Sequence, residues 1–75
     1  MKTKEQIENA IKKYQSMLED SQRAMAFAED FMNASSFMAH KECYIKTAQE
    51  YHQAELIAYA CEKLIKNCNW ILDNE

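Results

Sequence analysis

Apolar residues recur along the first half of the chain at intervals of four and three, which places them on one face of an α-helix. The members of this face are Ile7, Ile11, Tyr14, Leu18, Ser21, Met25, Ala28 and Met32. Thr3 and Gln6 have the spacing of a capping box, in which each side chain accepts a hydrogen bond from the backbone N–H of the other residue. The pattern therefore predicts a first helix over residues 4–33.

The second half of the chain repeats this alternation of three and four. Its apolar face consists of Tyr44, Thr47, Tyr51, Ala54, Ala58, Cys61, Ile65, Cys68 and Leu72. Between the two patterns, the cluster Asn33-Ala34-Ser35-Ser36 is the one interior group of turn and capping residues, and it predicts a reversal at 33–36. The second helix is then expected over residues 37–73, and the predicted fold is all-α, a single domain of residues 1–75 forming a long antiparallel helical hairpin.

Composition agrees with this fold, because the sequence contains neither Gly nor Pro, the residues that tight turns and bulges usually require. A chain of 75 residues buries only about 60% of its unfolded surface, so a monomer should be marginally stable. Disulfides, a structural metal or self-association are the usual remedies at this size. The sequence has three cysteines, an odd number, and Cys61 and Cys68 lie two helical turns apart, about 10 Å by helix rise, which is too far for a disulfide.

Self-association is indicated by apolar residues that flank both faces at intervals of seven and widen them beyond a two-helix contact. A turn centred near residue 35 would also leave the last residues of helix 2 projecting beyond helix 1. Both features predict a homodimer, in which two hairpins form a four-helix or larger bundle. The predicted oligomer interface comprises Ile7, Ile11, Leu18, Met25, Phe31, Ile65, Cys68, Ile71 and Leu72.

Helix 2 carries a second stripe nearly opposite its first apolar face, at about 100° per residue. The stripe combines aromatic, aliphatic and basic side chains: Ile45, His52, Leu56, Tyr59, Lys63, Lys66 and Trp70. This mixture is typical of a surface that binds another protein. The alternative interpretation is a further subunit interface within a larger bundle, and the sequence does not separate the two.

Charge and hydropathy exclude several classes of partner. The net charge is −3, with 9 basic and 12 acidic residues and no block of one sign, so the basic surface that nucleic-acid binding needs is missing. No apolar run resembles a signal peptide or a membrane span. We therefore expect a cytoplasmic protein with no membrane and no nucleic acid among its partners.

Catalysis and cofactor binding are not predicted. His52 and Cys43 could pair as base and nucleophile, but they lie nine residues apart along one helix, out of contact range. A Cys/His/Met metal-handling bundle using His40, Cys43, Cys61 and Cys68 stays as an alternative function, although a closed site normally needs four convergent ligands. We predict no enzyme activity, no cofactor and no metal.

The run Ala58-Tyr59-Ala60-Cys61-Glu62-Lys63-Leu64-Ile65, followed by Trp70-Ile71-Leu72, resembles the ending of small helical-hairpin proteins encoded by bacteriophages and prophages. That family includes inhibitors of host machinery such as anti-CRISPR proteins, so the resemblance implies a regulator that binds a host protein. The function expected is a non-enzymatic protein-interaction module, a phage- or mobile-element-derived inhibitor of a host protein such as a defence nuclease complex. The alternative is a self-assembling scaffold.

Overall fold

The computed structural model describes residues 3–34 and 40–74. They form two helices, α1 at Lys4–Ala34 and α2 at Lys41–Asp73, which pack side by side as an antiparallel hairpin. The helices have 31 and 33 residues, and the hairpin measures 56 × 15 × 13 Å. The prediction of an all-α helical hairpin is confirmed.

The first helix begins with the predicted capping box. The backbone N–H of Thr3 donates to Gln6 Oε1 at 3.0 Å, and the backbone N–H of Gln6 donates to Thr3 Oγ1 at 3.2 Å. Two backbone donors that have no partner within the helix are thereby satisfied by side chains. The start of α1 is therefore fixed by residues 3 and 6 as the sequence predicts.

The second helix begins after His40, whose carbonyl oxygen accepts a hydrogen bond from the backbone N–H of Tyr44 at 2.8 Å. At the other end, Asn74 closes the helix with both its backbone and its side chain. Its Nδ2 donates to the Trp70 carbonyl oxygen at 2.7 Å, and its backbone N–H reaches the carbonyl oxygens of Trp70 and Ile71. These bonds satisfy carbonyl groups that the last turn would otherwise leave open.

Both predicted apolar faces meet in the contact between the helices, and we call this contact the seam. Every residue predicted for it in either helix is buried or half-buried. The buried members are mostly small: Ile7, Ser21, Ala28, Ala54, Ala58 and Cys61. Small side chains allow two helices to pack at the short end of the usual 8–10 Å range of interaxial distances. The seam thus buries few large side chains.

The expected projection of helix 2 beyond helix 1 does not occur. Asn33 and Ala34 belong to α1, and α2 begins at Lys41, so residues that lie level in the two helices have numbers that sum to about 75, as Ala34 and Lys41 do. Leu72 is consequently level with Thr3, and the two helices end together. The predicted start of helix 2 at residue 37 and the rest of the predicted turn fall on residues 35–39, outside the described residues.

Within the described residues, neither helix combines the length and hydropathy that crossing a lipid bilayer requires.

Candidate protein-interaction surfaces

One side of the hairpin carries large apolar residues next to the seam, and we call it the side face. It consists of Met17, Phe27, Phe31, Ile57, Leu64 and Ile71, whose exposed fractions run from 37% to 79%. Met17 and Phe31 directly precede half-buried seam residues of α1, while Ile57, Leu64 and Ile71 directly precede buried or half-buried seam residues of α2. Because antiparallel helices bring equivalent flanks together, these residues share one side of the molecule.

The opposite side of the hairpin is polar. Its positions directly follow seam residues in each helix, and they are Glu8, Gln15, Gln22, Glu29, Ala48, Glu55, Glu62 and Asn69. Four of these eight residues are glutamates, and Ala48 is the one apolar member. The two sides therefore differ sharply in chemistry, although both border the same seam.

The side face includes a groove at the end of the hairpin formed by the last turns of α1 and the first turns of α2. The groove has a volume of about 480 Å³ and opens between the helices, lined by Phe27 and Phe31 of α1 and by Cys43, Lys46 and Glu50 of α2. Ala24, Ala28 and Thr47 also line it. The groove shows that the two aromatic rings of α1 and the first turns of α2 contribute to one continuous surface.

The outward-facing stripe of α2, which we call the outer stripe, lies where the sequence predicts. All seven of its residues are exposed: Ile45, His52, Leu56, Tyr59, Lys63, Lys66 and Trp70. Leu56, Tyr59 and Trp70 are 55%, 61% and 67% exposed, so none of them contributes a buried side chain to the hairpin. Within one chain, the outer stripe is a free surface.

Two contacts organise the outer stripe. The Lys63 Nζ atom lies 5.4 Å from the centroid of the Tyr59 ring, within the range of a cation–π interaction. His52 Nδ1 lies 3.6 Å from Glu55 Oε1, one turn further along α2. Each contact joins residues three or four positions apart, so the helix itself sets the arrangement of the stripe.

The residues predicted for an oligomer interface occupy two kinds of position in the hairpin. Seven of the nine line the seam between α1 and α2 of one chain: Ile7, Ile11, Leu18, Met25, Ile65, Cys68 and Leu72. The other two, Phe31 and Ile71, lie on the side face and remain exposed. A second hairpin could therefore reach these two residues without opening the first.

The candidate metal ligands are not brought together. Cys61 is only 2% exposed and packs in the seam, Cys68 is half-buried two turns away, and Cys43 and His40 lie exposed at the start of α2. Among the described residues, no group of three or more His, Cys, Asp and Glu side chains is placed to hold a metal ion. Cys61 thus serves as a small core residue.

Sequence reasoning missed Phe27, which at 79% is the most exposed of the large apolar residues in the described chain. It does not belong to the intervals of seven that flank the seam. The signal that could have found it is its spacing, three residues after Ala24 and four before Phe31, which places it on the same side of the helix.

No family model matches the chain, and comparison with curated proteins and with solved structures likewise gives no match.

Proposed function

We propose that this protein is a non-enzymatic interaction module that binds another protein through the outer stripe of α2. The observation that carries the proposal is the exposure of Leu56, Tyr59 and Trp70 on a helix whose opposite face is already packed against α1. Trp and Tyr are the apolar residue types most enriched among the residues that dominate binding energy at protein interfaces. Because these side chains are exposed, they contribute nothing to the packing of the hairpin.

The geometry of the stripe suits one continuous partner surface. Tyr59 and Trp70 are eleven residues apart, which corresponds to three helical turns and about 16 Å along the axis. Eleven residues return nearly to the same angular position on the helix, so both rings face the same direction. A protein surface of ordinary interface size, about 800 Å² per partner, spans this distance.

Charge defines the chemistry that the partner should offer. Lys63 and Lys66 lie between the two aromatic anchors, and Lys63 rests over the Tyr59 ring. A complementary surface would provide apolar pockets for Tyr59 and Trp70 with acidic groups near the two ammonium groups. We thus propose a partner whose binding surface is apolar at its centre and acidic at its edge.

The proposed setting is the cytoplasm, and the proposed role is the regulation or inhibition of a host protein. Free thiols at all three cysteines, among the described residues, suit a reducing compartment. The regulatory role rests on the resemblance of the last third of the chain to small phage and prophage hairpin proteins. The proposed binding surface does not depend on this resemblance, because it is inferred from the exposed side chains.

The test is affinity capture from a host-cell lysate with three versions of the chain: wild type, Tyr59→Ala/Trp70→Ala, and a control, Gln15→Ala/Gln22→Ala, on the polar side of α1. We expect a protein that binds the wild type and the control but is lost with the first double variant. In the purified complex, each aromatic truncation should weaken binding by about 2 kcal/mol or more. Equal retention by all three versions would contradict the proposed surface.

A further inference from the structure

We propose that the side face binds the side face of a second copy of this chain, giving a two-fold symmetric dimer of four helices. The dimer would bury Met17, Phe27, Phe31, Ile57, Leu64 and Ile71 from each copy. The interface differs from the outer stripe, so this inference goes beyond the proposed function and does not depend on it.

The surface area of the chain supports a dimer of this size. The accessible surface is 6034 Å², whereas a compact monomer of 8.8 kDa exposes about 4,800 Å² by the usual scaling of area with mass. The excess is about 1,200 Å² per chain, so two copies that bury it would remove about 2,400 Å² in total. Obligate homodimers bury about 2,000–5,000 Å², and the total of about 2,400 Å² for two chains falls within that range.

The length of the side face also matches a second hairpin. The face extends from Ile71, level with Lys4, to Phe31 near the other end of α1, which is about 40 Å at 1.5 Å per residue. In a two-fold arrangement, each copy presents the same elongated surface to the other. The second copy of the chain would then cover the side face over its full length.

Charge explains why the assembly would stop at two copies. Nine positions flank the seam on the side-face side, all within the described residues, and Glu50 is the one that carries a charge: Ala10, Met17, Ala24, Phe31, Cys43, Glu50, Ile57, Leu64 and Ile71. The polar side instead carries Glu8, Glu29, Glu55 and Glu62, and two such sides would repel each other. One self-complementary side and one repulsive side give a closed dimer.

Two adjacent residues of α2 provide a matched test. Ile57 lies on the side face and Leu56 on the outer stripe, and their exposed fractions are similar, 45% and 55%. We would measure the dissociation constant of the full chain by sedimentation equilibrium for the wild type, Ile57→Glu and Leu56→Glu. Both variants place the same carboxylate at an exposed position of the same helix, so only the side of the molecule differs.

We expect a wild-type dimer at micromolar concentration, and Leu56→Glu should dimerise with the same constant. Ile57→Glu should weaken dimerisation by about 100-fold or more, because its carboxylate would be buried without a partner. As a second measurement, the melting temperature of the wild type should rise as the protein concentration is raised from about 1 µM to about 100 µM. This measurement uses the wild type alone, so it tests the proposal even when a variant fails to fold.

Three results would overturn the proposal. The first is a wild-type chain that stays monomeric at about 100 µM with a melting temperature independent of concentration. The second is a wild-type assembly of more than two copies. The third is a loss of dimerisation in Leu56→Glu as large as or larger than that in Ile57→Glu, because the interface would then include the outer stripe. Partner binding by Tyr59→Ala/Trp70→Ala is measured separately from dimerisation. Failure of the proposed dimer and failure of the proposed partner-binding surface can therefore be told apart.

Discussion

The Ser21 hydroxyl donates a hydrogen bond to the backbone carbonyl oxygen of Met17, with an Oγ to O distance of 2.9 Å. Ser21 is buried in the seam, level with Ala54 of the other helix. Because its polar group finds a partner within its own helix, Ser21 costs little where an apolar side chain would be expected. The seam can therefore remain narrow at this level.

Replacing Ser21 by Leu should destabilise the protein, although Leu restores the apolar pattern. Leu adds volume where two helices pack through small side chains, and overpacking of this kind costs about 1–3 kcal/mol. Ser21→Ala is the matched control, since it removes the hydroxyl together with the demand for a hydrogen bond, and its effect should stay within about 1 kcal/mol. Thermal unfolding followed by circular dichroism gives both values. A higher melting temperature for Ser21→Leu would show that the seam has room for a large side chain.

The sequence predicts the seam and the end of α1 well and the start of α2 less well, for physical reasons. Spacings of three and four determine which side of a helix each residue occupies, and one chain reversal then brings the two apolar faces together. For the position of the reversal, the sequence offers only the capping propensity of residues 33–36. That propensity is a weak local signal, and α1 continues through Asn33 and Ala34. The resulting register between α1 and α2 removes the predicted projection of helix 2.

The capping box of α1 offers a second test. Thr3→Ala removes the side-chain acceptor for the Gln6 backbone N–H, and the loss of a cap costs about 1 kcal/mol. Thr3→Ser keeps the hydroxyl and should retain most of the stability. Equilibrium unfolding by urea gives both free energies. Equal stabilities for the wild type, Thr3→Ala and Thr3→Ser would indicate that the first turn of α1 is frayed in solution.

The candidate surfaces could be predicted only in part. The outer stripe follows from helical periodicity, because its residues share an angular sector of α2, and their exposure agrees with that placement. The contrast between the apolar and polar sides of the hairpin was not predicted. It emerges only when the flanks of α1 and α2 are brought together by the antiparallel packing. The spacing of Phe27 from Ala24 and Phe31 places it on this side of α1, but its position in the groove with Cys43 and Lys46 follows only from the packing of α2.

The central claim is that the residues of the outer stripe contact a partner and do not stabilise the hairpin. The most direct test is the free energy of unfolding of Trp70→Ala, obtained from its thermal melting. Trp70 is 67% exposed, and its backbone carbonyl still accepts the Asn74 hydrogen bond after the change. We expect the free energy of unfolding to change by about 0.5 kcal/mol or less. Ile7→Ala, in the buried seam, is the control and should cost about 2–5 kcal/mol. A loss of about 3–5 kcal/mol in Trp70→Ala, as for a buried aromatic residue, would contradict the account.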